Sequence, residues 1–552
     1  MKKYFIFLLA ALAFVGCKQT GNDNDDPKKP VADKPDWYYS GGELGTSYVF
    51  SSSCFEQPTK AVEDGGFYAS FKRGEALFEK QFMSNPTGTR GGLGPVYVRQ
   101  SCFHCHPGYG HGKTVESGTY NSSEIGNGTL LVVYNPETEA YVPWVAGMPQ
   151  LHAVEPFKAP VDGSKITIEW QHATDTWGNT FPDGETYELV YPIVHAPKEA
   201  FYASQVMDLG NYEVRLENTI GIYGTGLTDA IPDDSITAQW AREEQAYLKG
   251  YLPNWKSAWF EGGQWKADNG AYYSNKVQGD GTPYVRRYTY AMSRGPILDA
   301  AGANAVWNIT NVTRSDRRYH YLDLGGTNYA KQSSQDPEVQ AGWPEYIARL
   351  IEADDAYREY NTGDVEKDIY NYLTSKNLPA EMTDQEYADI MVWHRGLAVP
   401  AVRNHTDSAV IRGRELFNQV GCAQCHRPSW KTGDDRLQDP AKFFTKESEM
   451  PHYANQTIWP YTDFVQHKLM MEHDIRTGWC RTTPLWGRGL HQKATGDATA
   501  ARLHDTRGRN TLEAIMWHAQ GGEQSDAYSS VSKFRQLTKK EREDLCAFVD
   551  AI

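Results

Sequence analysis

The clearest periodic segment closes the chain: Leu545, Phe548, Val549 and Ile552 follow at i, i+3, i+4 and i+7 behind a Thr538/Glu541 capping pair. That pattern predicts an amphipathic helix with one face on a core. Helical patterning also covers residues 236–260 and 343–376, the latter strongly acidic. Between them and the N-terminus the apolar residues come in short runs instead. Thr129 to Asn135, Lys165 to Trp170 and Glu185 to Tyr191 read as strands, the last behind a Pro182-Asp183-Gly184 turn. A β-containing insertion in a mainly α-helical chain is therefore expected. Gly221 to Gly226 carries three glycines but no flanking apolar strand and helix, and reads as a turn.

The N-terminus has a different pattern. Lys2 and Lys3 precede an apolar run from Tyr4 to Val15, closed by Gly16 and Cys17. A positive start, a short apolar core and small residues at its end make a secretory signal over residues 1–17, too short to span a membrane. Cys17 directly after Gly16 resembles the lipidation site of bacterial lipoproteins, which implies an acylated mature N-terminus held at a cell-envelope membrane, facing the periplasm or the cell surface. Residues 18–35 are polar and proline-containing, a tether rather than a folded element. No other segment approaches spanning length, so the expected contact with the membrane is the lipid alone.

Composition narrows the partners. With 40% hydrophobic and 23% charged residues the chain suits a folded globular protein, and its 552 residues allow two to four domains. A net charge of -15 argues against nucleic acid as a partner.

The eight cysteines carry the chemistry. Cys102-Phe-His-Cys105-His106 and Cys422-Ala-Gln-Cys425-His426 are both CxxCH, the attachment signature of c-type haem. Two thiols add across the porphyrin vinyl groups and the adjacent imidazole reaches the iron. Random placement of 8 Cys and 16 His in 552 residues gives roughly 0.003 such matches, so two copies are a strong signal. A thioredoxin-like pair would need a βαβ context that neither motif has. A zinc site would need both pairs on one metal, across an unfamiliar spacing. Two covalent haem c groups are the expected cofactors, with Cys102, Cys105 and His106 holding one and Cys422, Cys425 and His426 the other. Cys54, Cys480 and Cys546 remain; export permits one disulfide among them, with the pairing open.

Each CxxCH has a similar lead-in, Arg73-Gly74-Glu75-Ala76-Leu77-Phe78 before the first and Arg412-Gly413-Arg414-Glu415-Leu416-Phe417 before the second. RGxxLF followed by CxxCH is how a cytochrome c domain usually begins. The expected organisation is two cytochrome c-like domains: residues 36–400 with the β-containing insertion between the haem motifs, and residues 401–552.

Longer stretches, including IYGTGLTDAIPDDSI at 222–236, WNITNVTR at 307–314, PYTDFVQH at 460–467, RTTPLWGRGL at 481–490 and LHDTRGRNTLEAIMWH at 503–518, resemble the bacterial di-haem oxidoreductases. That family, often labelled thiol oxidoreductases, is related to the di-haem cytochrome c peroxidases. Thr506 stands where those relatives carry the glycine of an HDG motif. The thiol label has no physical support, because thiols that hold haem are not free. The resemblance implies that His518, fourteen residues past His504, is a second axial ligand to the C-terminal iron. Asn510 can cap a helix from Thr511 that puts His518 at the edge of the face of Leu512, Ile515 and Ala519. His504 and His467 are expected near the haems or their propionates. For the N-terminal iron the sixth position stays open between His111, His152 and no side chain; no catalytic residue is assigned. The function implied is a peroxidase-like oxidoreductase passing electrons between two haems, with hydrogen peroxide as substrate and a redox protein or small donor as partner. A non-enzymatic electron carrier and a haem-bearing partner of an iron-uptake system are the alternatives.

Overall fold

Both RGxxLF segments form helices, Tyr68–Glu79 and Ser408–Val420, and each crosses a closing helix at its glycine. A Cβ on Gly74 would collide with the carbonyl of Asp389 and the Trp393 side chain; one on Gly413 would collide with the carbonyl of Asp544 and the Phe548 side chain. Only glycine permits that approach. The partners are the helices Asp384–Arg395 and Lys539–Ala551, and both start with a complete capping box, Thr383/Glu386 and Thr538/Glu541. The two halves of the chain therefore repeat one frame, an opening helix across a closing helix. The capping box and apolar stripe read at residues 538–552 are present as expected.

The computed structural model describes residues 34–84, 91–121, 123–142, 144–145, 148–266, 283–322, 326–439 and 443–552. The signal segment, Cys17 and most of the tether lie outside these. Pro35–Ile552 forms one compact unit.

The mainly α fold class does not hold. Among the described residues 38% are helical and 13% are in strands, with many small sheets. Seven sheets are formed among the described residues, one of three strands and the rest of two. Thr129–Tyr134 pairs antiparallel with Glu213–Asn218, and Thr167–Ala173 with Leu189–His195. The expected long helices are shorter because chain-breaking residues fall inside them. The helix read at 236–260 spans Asp233–Leu248 and stops before Gly250, which has φ +76°, and Pro253. The one read at 343–376 splits into Pro337–Ala353, a 3-10 turn Asp355–Tyr360 and Val365–Thr374, interrupted by extended Asp354 and by Gly363 at φ +98°. Within Gly221–Gly226, Tyr223 and Gly224 turn the chain into the short helix Thr225–Asp229, which already includes Gly226.

The strand segments between the haem motifs do more than decorate the first half. Some bury their own core of Leu131, Val133, Ile168 and Phe201. The hairpin tip, by contrast, packs Phe181, Tyr187, Leu189 and Tyr191 into the core of the C-terminal half, with Leu416, Phe417 and Phe548. Arg542 of the closing helix bonds Asp183 and Glu185 of that hairpin, each at 2.7 Å.

Candidate functional site

Each CxxC forms one 3-10 turn, Cys102–His104 and Cys422–Gln424. The turn places both cysteines and the following histidine beneath the opening helix. Phe78 lies 6.2 Å from His106 and Phe417 lies 6.3 Å from His426, ring centre to ring centre, so the last residue of RGxxLF does the same work in both halves. None of the four motif cysteines is in a disulfide. Burial pushes the thiols of Cys102 and Cys422 up to about 12, which does not suit a dithiol redox pair acting as thiolates.

The histidines are prepared as ligands. His106 Nδ1 bonds the carbonyl of Gly110 at 3.2 Å, and His426 Nδ1 that of Tyr461 at 3.2 Å. A carbonyl on Nδ1 fixes the proton there and leaves Nε2 with its lone pair. Burial lowers His106 to about 4 and His426 to about 3, so both imidazoles are neutral at pH 7.

Across a cavity from His426 stands His518, the residue closing the helix Thr511–Trp517, which Asn510 caps through the amide of Glu513. Its Nδ1 bonds the Ala514 carbonyl at 2.6 Å, so its Nε2 is also available. The two ring centres are 6.2 Å apart. Two imidazoles on opposite sides of one metal, at about 2 Å per metal–nitrogen bond, have centres roughly 6 Å apart. The cavity has an empty volume of about 1460 Å³, open mouth included, and is lined by Cys422, Cys425, His426 and His518 together with apolar residues such as Phe417, Met471 and Leu545. Apolar walls, two thiols and two facing imidazoles fit a haem.

His467 and His504 also line this cavity. His467 Nε2 lies 2.9 Å from Asp463. Burial disfavours its imidazolium, and the Asp463 carboxylate opposes burial and favours the charged ring.

The first N-terminal candidate, His111, keeps a buried Nε2 that no hydrogen bond engages. His111 Nδ1 bonds the carbonyl of Gly112 at 3.1 Å, and its ring stacks on His491 at 3.5 Å. His152 lies in the strand pair with Val96–Tyr97 and stacks on Tyr97 at 5.3 Å. Beside His106 the structure puts a residue that the sequence reading missed, His394, whose ring is kept neutral by burial and by His106 itself, and whose Nε2 has no hydrogen-bond partner. Its signal was present: His394 follows Trp393 as Val549 follows Phe548 behind matched capping boxes, and Val549 lines the C-terminal cavity. Cys54, Cys480 and Cys546 are free and form no disulfide. Cys54 is buried in the first core, Cys480 is on the cavity wall and Cys546 is on the closing helix.

A buried histidine pocket beside paired thiols describes a redox cofactor site. Residues 357–552 match the family model described as "Di-haem oxidoreductase, putative peroxidase". This is the family suggested by the motifs, and it supports a redox function with haem as cofactor. The matched stretch contains the second CxxCH and His518; the first CxxCH lies before it. Neither a curated protein nor a solved structure matches the chain.

Proposed function

We propose that this protein is an exported c-type cytochrome of peroxidase-like activity, carrying two covalent haems at Cys102/Cys105/His106 and Cys422/Cys425/His426, with His518 as second axial ligand in the C-terminal half. The reading rests first on the 6.2 Å pairing of His426 and His518 across an apolar cavity, with both Nδ1 atoms committed to backbone carbonyls. Bound there, haem supplies one-electron chemistry at iron. The carbonyls of Tyr461 and Ala514 set the orientation and basicity of the imidazoles. The apolar lining excludes water. The His467–Asp463 pair holds a proton on His467 at the cavity wall, where it can be donated and recovered.

Export with a lipid on Cys17 belongs to the same proposal and predicts that Cys17→Ser moves the protein from the membrane to the soluble fraction; unchanged partitioning speaks against the anchor. Enzyme and carrier are separated by one experiment. The protein is reduced by one electron and mixed with hydrogen peroxide and a chemical donor while the haem absorption is followed. Peroxide consumption well above that of free haem is expected. Consumption at the free-haem rate, with both haems unchanged, is the carrier's result.

A further inference from the structure

Among the described residues, two groups of metal-ligating side chains are not haem-binding motifs in themselves. One, Cys425 with Asp463 and His467, contains a thiol already assigned to haem. The other is Asp474, Cys480 and His504, with one ligand atom from each lying within 4.8 Å of the others. None of these three belongs to a CxxCH motif.

The second group is built from separate pieces of chain. Cys480 is the middle residue of the strand Trp479–Arg481, which pairs antiparallel with Gln466–Lys468. Asp474 is on the loop joining those strands, and His504 comes from the loop before helix Thr511–Trp517. The His504 carbonyl accepts from the amide of Asn218 at 2.6 Å, anchoring that loop on the strand Glu213–Asn218.

His504 is 3% exposed, and its Nε2 has no hydrogen-bond partner although Asp474 Oδ1 is 3.2 Å away. Asp474 Oδ2 is also buried and without a partner. Buried polar atoms left unmet in this way are destabilising unless something binds them. Cys480 Sγ lies 3.6 Å from His504 Nδ1. In a tetrahedral zinc site with bonds of about 2.0 Å to N or O and 2.3 Å to S, ligand atoms lie roughly 3.2–3.7 Å apart. Cys480 and Asp474 face different ring nitrogens of His504, only one of which can bind a given ion; with one ligand atom from each residue already within 4.8 Å of the others, small side-chain adjustments bring the three into that range.

Charge separates a cation site from a reactive thiol. The carboxylates of Asp474, Glu217 and Asp505 all act on Cys480. Arg507 acts on it too, but its guanidinium is engaged with both oxygens of Asp505. Thiolate formation among carboxylates is disfavoured, whereas a divalent cation is favoured by the same groups and deprotonates the thiol on binding. Thiolate, imidazole and carboxylate together suit zinc and its neighbours rather than calcium or magnesium.

We propose that Asp474, Cys480 and His504 bind one divalent transition-metal ion of the zinc class, separate from the haem irons, and that this ion clips the loop of residues 469–478 to the wall of the C-terminal cavity. A fourth position is left for water or for Glu217, which also borders the thiol.

The test uses the full-length holoprotein, stripped with a chelator, incubated with zinc chloride and desalted. One zinc per chain beyond haem iron is expected by elemental analysis. Cys480→Ser and Asp474→Asn are expected to weaken zinc binding at least about 100-fold in competition with a chelating indicator, and Asp474→Asn, which is off the cavity lining, leaves the haem absorption bands unchanged. Wild-type protein retaining no zinc, or both variants retaining it equally, overturns the proposal. A second measurement needs no variant: zinc should slow alkylation of Cys480 at least about tenfold, read by peptide mass, and an unchanged rate also overturns it.

Discussion

At the scale of single residues, the site depends on which nitrogen of each histidine is left free. His106, His426 and His518 each give Nδ1 to a backbone carbonyl, and that common arrangement leaves the Nε2 of each buried imidazole open to act as a ligand. The CxxCH pairs were legible because the chemistry demands those residues at that spacing. His518 was singled out only through family resemblance; nothing local distinguishes it from a histidine at a packed seam. His394 was missed because its meaning depends on the alignment of two closing helices far apart in sequence. Asp474, Cys480 and His504 were likewise invisible as a group, since only tertiary packing brings two strand-linked residues to a distant loop. The prediction at this scale is for His518→Ala. One of the two haems should pass from low to high spin and bind added imidazole, while the other keeps its spectrum. Two unchanged haem spectra would remove His518 from the iron.

At the scale of elements, the repeated frame is the finding that local pattern half revealed. The lead-in helices, the cap at Thr538 and the stripe behind it are local signals and were read correctly. Strand partners are not local. The run 129–135 was legible as a strand, but its pairing with Glu213–Asn218 and the docking of the 181–191 hairpin on the opposite half come from long-range burial. Helix crossings carry a pH dependence that can be checked. Burial tends to raise Asp389, but hydrogen bonds from Arg73, Ser70 and Gln385 outweigh it and hold the carboxyl below its usual value. A depressed folded pKa adds stability that is present above the unfolded pKa, near 4, and lost as pH falls through the folded value. Asp389→Asn should therefore cost about 1 kcal/mol at pH 7 and progressively less below pH 4. Chemical denaturation across that range measures it, and a pH-independent difference would contradict the assignment.

At the scale of the molecule, two copies of one helical frame are joined by strands and loops that share their cores, and this is why the chain is neither mainly α nor a pair of independent cytochromes. Motif reading pointed to the haem-type redox family that the C-terminal half matches but overestimated helix, because residues between the motifs pair in short strands or pack as loops on aromatic side chains such as Trp240, Trp255 and Phe260. The central claim is that both frames hold covalent haem. Expressed with a cytochrome c maturation system, denatured and acid-extracted, the protein should keep two haems per chain by intact mass, and Cys102→Ala with Cys105→Ala, or Cys422→Ala with Cys425→Ala, should leave one. A wild-type mass showing one haem or none would contradict the account.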